Sequence, residues 1–173
     1  MNFYKILFQS SKKTTPLHKQ LSLNNTTLVG ENGYSFGIQY SPESYNSWLM
    51  DEKIFEIFVH SSVKQLIMTN YKFLNLINRQ DEFNLNIVDC KLEKNIDIDY
   101  FLQGEKIEPE TLNIIMENHE FQILQVYFRS KDKHMITLKS NGVLGVDSEL
   151  SEDEMNDIKK LIDFLGFGPA VLV

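Results

Sequence analysis

Residues 121–165 constrain the fold more than any other stretch, because several local signals agree there. Residues 121–128 and 134–139 are rich in β-branched and aromatic side chains and predict two strands. Asn141 and Gly142 then predict a tight hairpin turn in which both residues have φ > 0, so that residues 143–146 return as a third strand. A helix opened by Ser151 follows, with its apolar residues on one face: Met155, Ile158, Leu161, Ile162 and Leu165. A small antiparallel sheet with this helix laid across it buries both apolar faces.

The rest of the chain predicts more elements of both kinds. Strands are expected over residues 3–8, 26–29, 34–40 and 83–92, the last with a bulge near Ile87 where the apolar alternation changes phase. Helices are expected from Pro42, over residues 63–79 and from Pro109, and Gly166 is expected to end the last helix as a left-handed cap. Residues 54–59 fit either a buried strand or a helix. We therefore predict an α+β fold: a single domain over residues 1–173, mainly an antiparallel sheet with about four helices packed on it.

Composition and charge limit the functional classes. The chain has 173 residues, enough for one domain with a real core, and a net charge of −7. Residues 1–30 carry four lysines and no acid, so the remainder is more acidic than the net charge indicates. A basic start of this kind is also found in transit peptides, but residues 3–8 read as a strand of the fold. The chain has a single cysteine, Cys90, which predicts a cytoplasmic protein. It has no apolar run of about 18 residues, so no membrane partner is expected.

No motif for catalysis or cofactor binding is recognisable, so we expect no enzyme activity and no cofactor. The four histidines lack metal-ligand spacing, and neither a phosphate loop nor a nucleophile elbow is present around Ser61. Cys90 lies in an apolar stretch and is expected to be a core residue. The alternative of a small metal-dependent enzyme would place its metal at Asp97, Asp99 and Glu105. The acidic balance also argues against nucleic acid, although Phe3, Tyr4 and Phe8 lie near the N-terminal lysines.

One block of acidic residues is the most distinctive charge pattern in the sequence. It comprises six residues around the start of the last helix: Asp147, Glu149, Glu152, Asp153, Glu154 and Asp157. Ser151 and Glu154 form a capping-box pattern, and acids in the first helical turn offset the positive end of the helix dipole. Capping needs two or three acids. Two interpretations remain open: capping alone, or capping together with a docking surface for a basic partner, to which Tyr45 and Trp48 would add if exposed.

The size, acidic charge and α+β organisation resemble those of bacterial toxin-immunity proteins, including those of contact-dependent inhibition systems. The resemblance covers general character only, since no motif carries it. It implies a stoichiometric inhibitor that neutralises a basic, nuclease-type toxin by charge complementarity. The acid block would then bind the toxin. A regulatory interaction protein of bacterial or phage origin, with an unrelated target, is a further alternative.

Overall fold

An antiparallel sheet of eight strands and four α-helices make up the described part of the chain. The computed structural model describes residues 1–10, 16, 28–93 and 122–167. In chain order the elements are β1 (Asn2–Gln9), β2 (Leu28–Val29), β3 (Ser35–Gln39), α1 (Pro42–Met50), α2 (Glu52–His60), β4 (Val63–Gln65), α3 (Asn70–Asn78), a short 3₁₀ helix (Gln80–Phe83), β5 (Leu85–Leu92), β6 (Ile123–Ser130), β7 (Met135–Lys139), β8 (Val143–Val146) and α4 (Glu152–Phe167). The predicted α+β class is confirmed.

Strand β1 is the centre of the sheet. The strands follow the order β2-β3-β1-β8-β7-β6-β5, and β4 also pairs with β1. One edge of β1 pairs with β3 from Tyr4 to Phe8. The other edge is shared, because β8 pairs with its first half and β4 with its second half, from Leu7 to Gln9. β1 thus joins the two halves of the sheet.

The two faces of the sheet carry separate apolar cores. Consecutive residues of a strand point to opposite faces, and in β1 Ile6 and Leu7 are both fully buried on this pattern. Ile6 belongs to the larger core, with α3 and α4. Leu7 belongs to the smaller core, with α1 and α2. The α4 helix therefore covers one face and the α1–α2 pair covers part of the other.

Several local predictions are confirmed. Ser41 caps α1, with its side chain accepting from Ser44 N at 3.2 Å. Residues 54–59, which fitted two interpretations, are helical within α2. The bulge in β5 falls between Ile87 and Asp89. In α4 the predicted apolar face is buried except for Met155, which packs at its margin. None of the described helices is long and apolar enough to cross a lipid bilayer.

The prediction of one helix over residues 63–79 is wrong. Residues 63–65 form β4, and α3 begins only at Asn70, where the Thr69 side chain accepts a hydrogen bond from Lys72 N. The helical spacing of the apolar residues is real, but β8 covers only half of one β1 edge. The remaining backbone groups of β1 would lack partners without β4, and satisfying them outweighs local helix preference.

Two predicted glycine roles are also wrong in detail. In the β7–β8 turn only Gly142 has positive φ, at 75°, and its N–H donates to Lys139 O at 2.9 Å, so the turn is a type I turn followed by a left-handed glycine. Gly166 lies inside α4, which continues to Phe167. A Cβ at Gly166 would come within 2.7 Å of Ser35 Oγ, so this glycine allows α4 to approach β3 closely.

Candidate functional site at the start of helix α4

The predicted acid block divides into an exposed and a buried part. It lies on the connection from β8 and on the first turns of α4. Glu149, Glu152 and Asp153 are exposed, and their side chains have no hydrogen bond or ion pair within the described residues. Asp147 and Asp157 are partly buried, and Glu154 is buried at 7% exposure. Only part of the block is thus available to another molecule.

Glu154 connects α4 to the β6–β7 hairpin. Its Oε2 accepts from Ser151 N at 2.9 Å and from Ser151 Oγ at 3.1 Å, while Glu154 N donates to Ser151 Oγ, which completes the predicted capping box. Two residues of the hairpin also reach the carboxylate. Ser130 Oγ donates to Oε1, and His134 Nδ1 lies 2.9 Å from Oε2. Glu154 is therefore an internal structural group.

The same contacts fix the charges of the cluster. Burial raises the pKa of Glu154, but the hydrogen bonds from Ser130, Ser151 and His134 together outweigh burial and hold the pKa at about 2. The hydrogen bond to Glu154 raises the pKa of His134, against desolvation, and the negative charges of Glu154, Asp147 and Asp132 raise it further. Because an ionised carboxylate only accepts hydrogen bonds, His134 Nδ1 carries the proton in this contact.

These shifts predict a pH window for the stability of the fold. The lowered pKa of Glu154 contributes stability above its ordinary value of 4.5, and this is lost as pH falls towards about 2. The raised pKa of His134 contributes stability below 6.5, and this is lost as pH rises through the folded-state pKa. The pair therefore stabilises the fold most between pH 4.5 and pH 6.5.

Replacing His134 by glutamine tests this window. In urea unfolding, the loss of stability in His134→Gln should be larger at pH 5.5 than at pH 8.5. An equal loss at both pH values would contradict the assignment of the proton to His134.

Asp157 is partly buried, with 14% of its side chain exposed, and both of its carboxylate oxygens make contacts within the fold. Its Oδ2 accepts from Asn84 Nδ2 at 2.7 Å, and its Oδ1 accepts from Lys160 Nζ at 3.1 Å. The contact with Asn84 ties α4 to the residue that follows the 3₁₀ helix. Asp147 Oδ1 accepts locally from Ser148 N at 2.7 Å.

A cleft of about 410 Å³ opens beside the exposed acids. Its walls come from the end of the 3₁₀ helix, the β6–β7 turn and the first turns of α4. Asp153, Asp157 and the exposed Asp132 line it, with Lys131 and Lys160 as the basic members. Asp132 was missed by the sequence reasoning, because it lies 19 residues before Ser151 in the chain and approaches α4 only in the folded structure. Its Oδ2 lies 3.5 Å from Ser151 Oγ.

The other candidates from the sequence have structural roles where they are described. Cys90 is 2% exposed, and burial, with a smaller contribution from Asp89, raises the pKa of its thiol to about 12, as expected for a core residue. Tyr45 is buried, and Trp48 packs edge-on against Phe58, so both belong to the smaller core. Ser61 is buried at the end of α2.

The metal-ligand candidates and the basic N-terminal segment are described only in part. No group of three or more His, Cys, Asp or Glu side chains in the described ranges is arranged to hold a metal ion. Asp97, Asp99 and Glu105 lie outside the described residues. In the N-terminal basic segment, Lys5 is 6% exposed, and its Nζ donates to Asn141 O below the ring of Tyr45. That lysine is therefore part of the fold and not of a basic surface.

Comparison with known proteins gave no match to a family model, a curated protein or a solved structure.

Proposed function

We propose that this chain is a stoichiometric inhibitor that binds a basic protein through the start of α4. The specific case we favour is immunity against a basic, nuclease-type bacterial toxin. Such an inhibitor needs no catalytic group. It needs a rigid surface whose charge complements the cleft that it blocks, because complementary charge speeds association and selects the partner.

One observation carries the proposal: the exposed carboxylates at this helix start exceed what the helix uses. Glu154 completes the capping box and Asp157 joins α4 to Asn84. Glu149, Glu152 and Asp153 remain exposed with no partner in the described ranges. Asp132 adds a fourth exposed carboxylate across the cleft. Of the two lysines that line the cleft, Lys160 already contacts Asp157.

The test removes the three exposed charges while leaving the internal ones in place. In the triple variant Glu149→Gln, Glu152→Gln, Asp153→Asn, the cap and the Asp157 contacts are kept. The probe is the product of the reading frame next to this gene, purified as a catalytically inactive form. We expect 1:1 binding by the unaltered chain, and an association rate about tenfold lower for the variant at low ionic strength, since steering by charge controls this rate. Surface plasmon resonance measures both.

A matched control carries the same change in charge at another place. Glu31, Glu43 and Glu93 are exposed and lie outside α2 and α4, and their conversion to glutamine removes three charges away from the start of α4. This control should bind with an association rate close to that of the unaltered chain. Equal binding by the α4 variant, or a neighbouring product that is acidic or does not bind, would overturn the proposal.

A further inference from the structure

Helix α2 has more apolar surface than its packing uses. Phe58 is buried in the smaller core, and Ile54 and Ile57 pack at its margin. These three side chains form the single apolar stripe by which a surface helix normally docks onto its sheet. Phe55 and Val59 lie outside that stripe and are 56% and 60% exposed. The two side chains form a small exposed apolar patch, and an apolar patch rimmed by polar residues is a feature of interaction sites.

The exposed apolar residues form one row along the helix, with an acidic row beside it. Phe55 and Val59 are four residues apart, as are Glu52 and Glu56, so each pair spans about 6 Å of helix axis. All four side chains are exposed. Successive helical positions place the acidic pair next to the apolar pair on the solvent side. Lys53, the one lysine of α2, falls on the far side of the acidic row.

We propose that the solvent face of α2 docks a basic amphipathic helix of a partner protein. Such a helix carries an apolar row and a Lys/Arg row at the same spacing of about 6 Å, so its apolar row covers Phe55 and Val59 while its cations meet Glu52 and Glu56. Charge also argues against a second copy of this chain. Antiparallel pairing of two α2 helices through their apolar rows brings the two acidic rows together, which is unfavourable.

This surface is separate from the one at the start of α4. The α2 helix packs on the core that contains Leu7, whereas α4 packs on the core that contains Ile6, and these residues point to opposite faces of β1. The inference therefore does not depend on the proposed inhibition of a basic protein through α4. Either surface can be removed without changing the other.

The test uses a synthetic helix as the probe. We choose a 14-residue peptide of leucine and lysine with the leucines on one helical face, and a scrambled peptide of the same composition without that face. Chemical-shift changes in the amides of the ¹⁵N-labelled chain should map the amphipathic peptide to α2. Replacing both Phe55 and Val59 by serine should weaken binding about tenfold, because apolar anchors supply most of the affinity of such a contact.

Two comparisons decide the outcome. At about 0.15 M salt the variant Glu149→Gln, Glu152→Gln, Asp153→Asn should bind the peptide within about twofold of the unaltered chain, because α4 packs on the other face of the sheet from α2 and exposed charges that far apart are screened. The serine variant must keep its thermal unfolding midpoint, as expected for exposed positions. Three outcomes would each overturn the proposal. The chain could bind the scrambled peptide with equal affinity, or the chemical-shift changes could be centred on α4. The free chain could also form a dimer that the serine variant abolishes.

Discussion

Replacing Gly142 by valine should lower the free energy of unfolding by at least about 4 kcal/mol, which is exceptional for one substitution. Gly142 has φ of 75°, a left-handed conformation that a β-branched residue adopts only with strain. A Cβ at this position would also come within 2.1 Å of Leu66 O, in the segment that follows β4. Leu66 N donates to Ile6 O, so relieving the clash would disturb the sheet at β1. Urea unfolding measures the loss of stability, and we expect the melting temperature to fall by roughly 10 °C.

Two further substitutions separate strain from collision. Asparagine tolerates the left-handed conformation but still carries a Cβ. If collision dominates, Gly142→Asn and Gly142→Ala should be destabilised about equally; a clear recovery with asparagine would show that backbone strain is the main cost. Asn141→Ala serves as the neighbouring control. It removes only the 3.3 Å contact to Val143 N and should cost about 1 kcal/mol or less. A loss as large as that of Gly142→Val would mean that the whole turn is fragile.

Where local chemistry decides the structure, the sequence was sufficient. The cap and apolar face of α4, the cap of α1 and the bulge in β5 follow from spacings of a few residues. The hairpin of β7 and β8 was also predictable, because glycine after asparagine signals a turn whichever turn type forms. Only the detailed conformation of Asn141 required the neighbouring strands.

Where distant segments decide, the sequence was insufficient. Residues 63–65 have helical spacing and become a strand because β1 has an edge left to fill. The acid block could be found in the sequence as a charge pattern. Its division into exposed and buried residues could not be predicted. The capping box accounts for Ser151, whereas Ser130 and His134 reach Glu154 only because the β6–β7 hairpin packs on α4. A contact from Asn84, 73 residues away in the chain, likewise occupies one carboxylate oxygen of Asp157.

Replacing Glu154 by alanine should cost about 3 kcal/mol, although five other acids lie within seven residues of it. The substitution leaves the Ser130 hydroxyl and the Ser151 amide without their acceptor. It also removes the partner of His134 and half of the capping box. Each buried donor that loses its acceptor costs about 1–3 kcal/mol. Chemical unfolding near pH 6 measures the loss, because the carboxylate and the imidazolium are both charged there.

The adjacent residue provides the matched control, since Asp153 carries the same charge on the same helical turn but is exposed. Asp153→Ala removes one favourable interaction with the helix dipole and should cost about 0.5 kcal/mol. Glu154→Gln should fall between the two variants, because it keeps the shape and one acceptor oxygen but presents an NH₂ group to donors. If Glu154→Ala cost no more than Asp153→Ala, the carboxylate would not join the hairpin to the helix. Glu154 would then belong with Glu152 and Asp153 on the docking surface, and the charge available to a basic partner would be larger than proposed.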